Sequence, residues 1–175
     1  MKAAGTKFFY GLLIAIFAFG AFATPVALAA PKSGTIIDVA LAANAESGEF
    51  SILIAALQAA DPAVINTLSG KGQFTVFAPT DAAFIALLDE LDITAPQLLS
   101  NQELVTEVLL YHVARGNRNS NAVLGSSRIR TLQRGFLFQD GGVLTDANGR
   151  SANIIATDIK ASNGVIHVID RVVLP

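Results

Sequence analysis

Two histidines and no cysteine bound the chemistry open to this chain. His112 follows Tyr111 at the end of the run LLYHV, and His167 lies in IHVIDR. Neither opens an H-E-x-x-H metal motif, and no serine lies in G-x-S-x-G. Gly70-Lys71-Gly72 lacks the upstream Gly and the following Ser or Thr of a phosphate-binding loop. A zinc site needs N or S ligands that two His cannot complete, and a thiol nucleophile or disulfide scaffold is excluded outright. Asp146-x-Asn148-Gly149 carries part of a calcium loop, but no bidentate Glu follows at the twelfth position. It reads better as a hairpin turn. Asp89, Glu90 and Asp92 read as the charged end of a helix. A hydrolase would have to assemble Ser, His and Asp from distant positions. The reactive residues therefore point to binding without catalysis, and no metal or cofactor is expected.

Charge carries more information than these motifs. Residues 30–107 hold two basic and ten acidic side chains, net −8. Residues 108–175 hold eight basic and four acidic, net +4. Arg115, Arg118, Arg128, Arg130 and Arg134 fall between Glu107 and Asp140 with no acid among them. Guanidinium groups grip carboxylates and phosphates in bidentate fashion. The segment reads either as a docking surface, for a protein or an anionic polysaccharide of the cell surface or matrix or for the acidic half of another copy, or as scattered arginines exposed along strands. Nucleic acid is a poor partner, because residues 30–175 are acidic overall and lack interleaved aromatic residues.

The first 29 residues differ from the rest. Lys2 and Lys7 precede an apolar run over 8–23, FFYGLLIAIFAFGAFA, and a small-residue site follows at Ala27-Leu28-Ala29. These are the three parts of a secretory signal peptide, with cleavage expected after Ala29. Sixteen apolar residues fall short of the roughly 20 a bilayer span requires, so membrane contact is expected only if this segment stays uncleaved. The chain is then secreted or periplasmic. Residues 30–175 form a single domain, large enough to fold without disulfides.

Helical patterns fill the first part of that domain. TIIDVALAA and FSILIAALQA are apolar at helical spacing, and Asp61-Pro62 is a helix opening. Gln73 to Ala78 reads as a strand buried on both faces, ended by Pro79. Thr80 caps a following helix through Leu91, with Asp81 complementing its positive end. Thr94 with Gln97, and Ser100 with Glu103, have capping-box spacing. After residue 113 short β-branched runs alternate with the turn signals Asp140-Gly141-Gly142, Asn148-Gly149 and Asn163-Gly164. Helices first, then a mainly antiparallel sheet joined by one early strand, make an α+β fold.

Three segments are more specific than this periodicity. QFTVFAPTDAAF spans 73–84, Tyr111-His112 closes the helix ending LLYHV, and DIKASNGVIHVIDRVVLP spans 158–175. In that order they resemble the first motif, the tyrosine–histidine motif and the second motif of the fasciclin-like domain family. The resemblance covers the chain from about Gly34 to Pro175 and is that of a bacterial, single-domain, secreted member. It implies a β-sandwich-like wedge beside a helical N-terminal half. It also implies an extracellular adhesion or interaction module rather than an enzyme scaffold. Some family members bind carotenoids, so carriage of an apolar ligand is the alternative.

The resemblance marks four binding residues. Tyr111 and His112 match the motif implicated in integrin binding by animal members; the structural alternative is a core Tyr beside a hydrogen-bonded, buried His. Asp158 and Ile159 match the Asp-Ile pair ahead of the second motif; the structural alternative is a solvated charge at a strand end. Strand alternation places Asp170 among Ile166, Val168, Val172 and Leu174, a buried carboxylate that requires backbone N–H groups or a cation. The same alternation leaves His167 partly exposed beside Arg171.

Overall fold

A computed structural model describes residues 34–175. The expected signal segment, 1–29, lies outside the described residues. The chain begins with three helices: α1 (Ile36–Ser47), α2 (Ser51–Ala59) and α3 (Pro62–Leu68). The first and third open on a local side-chain cap. The Thr35 N–H and hydroxyl both donate to Asp38 Oδ2, and Asp61 Oδ1 accepts from the Ala63 N–H at 2.8 Å. Strand β1 (Phe74–Pro79) follows, then α4 (Asp81–Leu91), α5 (Ala95–Ser100) and α6 (Gln102–Tyr111). The Thr94–Gln97 pairing forms as expected, with Thr94 N–H donating to Gln97 Oε1 at 2.7 Å. The Ser100–Glu103 pairing does not. Ser100 is the last residue of α5, and Asn101 takes over as cap, its Oδ1 accepting from Leu104 N–H at 3.1 Å.

The remaining elements are β2 (Val113–Arg115), a short helix α7 (Ser120–Leu124), β3 (Arg128–Arg130), β4 (Phe136–Asp140), β5 (Val143–Thr145), β6 (Ser151–Ala161) and β7 (Gly164–Ile169). The seven strands run in the order β2-β1-β7-β6-β5-β4-β3. β1 and β7 are parallel neighbours; every other pairing is antiparallel. The β4–β5 hairpin turns through Gly141 and Gly142, both at positive φ, the backbone shape that twists with its strands. The outermost strands come back together: Leu132 N–H donates to Val113 O at 2.7 Å, and Ala114 bridges Thr131. The sheet thus curls into a near-barrel, and the α+β expectation holds.

Two cores result. Phe74, Val76 and Ala78 of β1, with Ile166 and Val168 of β7, pack against the helices together with Leu53, Phe84 and Val108. Phe77 and Ile169 point the other way, into the barrel with Tyr111, Ile129, Leu137 and Leu144. The parallel pair is therefore a shared wall, which is why both strands are buried at every position.

Candidate functional site

The Thr80-Asp81 pair divides its labour between two helices. Thr80 Oγ1 accepts from Ala83 N–H at the start of α4. The Asp81 carboxylate reaches back to α2, accepting from Ile52 N–H at 2.8 Å and Ser51 N–H at 3.1 Å. Helix α2 has no cap of its own, since Phe50 occupies that position. Asn163 does comparable work in the β6–β7 turn. Its Oδ1 accepts from Ile36 N–H at 2.8 Å, and its Nδ2 donates to the carbonyls of Leu68 and Gly70. The motif residues thus staple helices to the wall strands, a role the one-dimensional pattern does not display.

Tyr111 and His112 end α6 inside the molecule. Tyr111 is 1% exposed; its hydroxyl donates to Phe136 O at 2.7 Å and accepts from Ala147 N–H. Gly135 leaves its ring room, because a Cβ there would lie 2.7 Å from Tyr111 Cε2. His112 is 3% exposed; its Nδ1–H donates to Val108 O at 2.7 Å, and its Nε2 accepts from Val173 N–H at 3.3 Å. Burial pushes its pKa down to about 4, against the opposing pull of the Val108 carbonyl and Asp146. Burial also raises the Tyr111 pKa, so both rings are neutral at physiological pH.

Asp158 and Ile159 lie at an irregularity of β6, where the register against β7 slips between Ala156 and Ile159. Asp158 takes a positive φ of 62° at this irregularity, a conformation that Asp tolerates better than most residues. The bulge turns its carboxylate to the start of α7. There it accepts from the Ser120 N–H at 2.8 Å and from the Ser120 hydroxyl, bonds that hold its pKa below the ordinary carboxylate value. Ile159 is half-buried against the helical core beside Phe50 and Ile166. Asp158 also lines an open polar cleft of about 430 Å³ with Asn117, Asn119 and Lys160.

Two expectations about the last strand are corrected. His167 is 0% exposed rather than partly exposed. It stacks on Phe77 with centroids 5.8 Å apart, its Nε2–H donates to Arg118 O at 2.8 Å, and its Nδ1 faces the Asp158 N–H at 3.4 Å. Both faces of β7 are covered, so alternation does not separate inside from outside there. Asp170 is exposed rather than buried, because β7 ends at Ile169 and the chain turns. Its pairing with a backbone N–H does form: Asn153 N–H and Nδ2 both donate to it at 2.7 Å. Asp146 is buried in its hairpin turn, accepting from Asn148, Arg150 and Leu174 N–H groups. Glu90 forms a bidentate pair with Arg150. Among the described residues, no group of three His, Cys, Asp or Glu side chains is placed to hold a metal ion.

The four marked residues therefore do not share one open patch. They share a frame: Phe77 N–H donates to His112 O, Phe77 stacks on His167, and His167 meets Asp158. This architecture and these motifs define a class. The Fasciclin domain profile matches residues 48–175, and the chain belongs to the fasciclin domain family. It is 40% identical over 144 residues to Protein sll1483 of Synechocystis sp., covering 81% of this chain and 73% of that protein. It is 32% identical over 163 residues to Immunogenic protein MPB70 of Mycobacterium bovis, covering 89% of this chain and 78% of the relative. Transforming growth factor-beta-induced protein ig-h3 of Sus scrofa is 34% identical over 159 residues, but the chain spans only 22% of its length. Among solved structures, the FAS1 domain pair of the insect cell adhesion molecule fasciclin I aligns with a TM-score of 0.56 at 19% identity, covering 78% of this chain and 46% of that one. That likeness is one of fold.

Proposed function

We propose that this chain is a secreted or periplasmic adhesion and interaction module, residues 30–175 acting without catalysis once residues 1–29 are removed. Family membership supports the reading, because fasciclin domains have adhesion and matrix-interaction roles. The observation that carries it is the open polar cleft at Asp158, bounded by the 117–119 loop and fixed from beneath by His167. In this reading Asp158 meets the partner and Ile159 anchors the bulge. Tyr111 and His112 are positioning residues that set the α6–β2 junction from inside. The apolar cavity beside His112 holds about 70 Å³, far below the roughly 300–1,000 Å³ of small-molecule pockets. This favours surface contact over carriage of an apolar ligand such as a carotenoid. Many copies on one surface would offset the weakness of a small patch.

A deletion strain scored for surface attachment tests the proposal. Attachment falls on deletion, returns with the wild-type gene, and returns only in part with Asp158→Ala. Wild-type attachment in the deletion strain would overturn the reading.

A further inference from the structure

The arginine-rich segment of the sequence becomes a groove in the fold. Arg115, Arg118, Arg130 and Arg134 line an open cleft of about 380 Å³ with Thr131 and Leu132. The cleft lies at the seam where β2 and β3 nearly close the barrel. Ala114 bridges Thr131 across that seam in antiparallel sense. One further step in the same register sets Arg115 opposite Arg130, and the ladder stops there. Like charges directly opposite one another destabilise a strand pair. Each arginine is nonetheless held in place by its other neighbour, Arg115 opposite Phe74 and Arg130 opposite Phe136.

Among the described residues no internal anion relieves this repulsion. The ion pairs among the described residues both belong to Arg150, and no carboxylate lies within 4.0 Å of the four groove guanidinium groups. The Nε of Arg118 is buried and has no hydrogen-bond partner among the described residues. Next to the groove the barrel surface turns aromatic. Phe136 and Phe138 share the β4 face whose cross-strand partners are Arg130 and Arg128. The Arg128 guanidinium sits 5.0 Å from the Phe136 ring centroid, and Phe138 is 49% exposed.

We propose that this seam binds a carboxylate-bearing polysaccharide, its acid groups bridging Arg115 and Arg130 and its sugar rings lying along Phe138. Guanidinium forks match carboxylates, and a flat exposed aromatic side chain beside them matches a ring-built anion better than an acidic peptide. The proposal names the partner class of the module and rests on the extracellular reading only for the place where such a polymer is met.

The test titrates the full chain at low salt with polygalacturonate, neutral dextran and double-stranded DNA. Polygalacturonate binds, dextran does not, and the affinity falls as salt rises. Arg130→Glu places a carboxylate opposite Arg115. It weakens polygalacturonate binding about ten-fold or more while Tm holds or rises. Arg115→Ala with Arg118→Ala gives the same loss without a new ion pair. Unchanged polygalacturonate affinity in both variants overturns the proposal, as does tighter binding of DNA. A deletion strain with normal attachment but intact polymer binding in vitro overturns the adhesion reading alone. Impaired attachment with polymer binding indifferent to the arginines overturns the groove alone.

Discussion

His112 keeps a neutral imidazole in the core because the ring has a use for both nitrogens, one donating to Val108 O and one accepting from Val173 N–H. Its pKa is about 4 in the folded chain against an ordinary 6.5. Between those values the unfolded chain binds the extra proton, so stability increases with pH across the window. The contribution is complete above pH 6.5 and lost as pH falls toward 4, an effect of roughly 3 kcal/mol. Carboxylates with depressed values, Asp158 among them, add their own loss at lower pH still. Urea unfolding at pH 7.0 and 4.5 checks this: the wild type loses stability between the two, and His112→Gln, weaker at pH 7, shows little further change. An equal pH dependence in the variant would contradict the assignment. The sequence marks His112 and leaves both its environments open; the structure settles on the buried one. For Asp158 the sequence gives the residue but not the bulge, because a positive φ at a non-glycine position leaves no periodic trace.

Elements were legible where one local signal decides them. The double-sided burial of β1, the Thr80 cap of α4 and the Thr94–Gln97 pairing are all readable from neighbouring residues. The boundary between α5 and α6 was not, because Ser100 and Asn101 both make good caps and only the packed chain chooses between them. Helix α7 leaves no clear signal in the sequence, since five residues carry too little periodicity. Asp81 and Asn163 read as local cap and turn residues, yet their main bonds reach 29 and 127 positions away. The parallel β1–β7 wall carries the sharpest test at this scale. A Cβ on Gly164 would stand 2.0 Å from Phe74 O and 2.8 Å from Ile36 Cδ1. Backbone cannot yield there without parting the two strands. Gly164→Ala should cost at least about 3 kcal/mol by chemical denaturation. A loss under 1 kcal/mol would show that the wall is not close-packed.

At the scale of the whole molecule, the fold divides charge as well as layers. The acidic half supplies α1 to α5 and the wall strand β1, the basic half supplies α7 and the other six strands, and the Glu90–Arg150 pair joins the two. Class and architecture could be read from composition, periodicity and three motifs. The groove could not, because the seam brings β2 and β3 together across a gap in sequence that no local pattern spans. Among the described residues no single helix is long and apolar enough to cross a bilayer. The proposed function requires a chain that leaves the cytoplasm and works by contact. Cell fractionation with intact-mass analysis of the recovered chain tests this directly. The expected species is found outside the cytoplasm and begins at Ala30. A chain recovered from the cytosol at the full mass of 175 residues would contradict it.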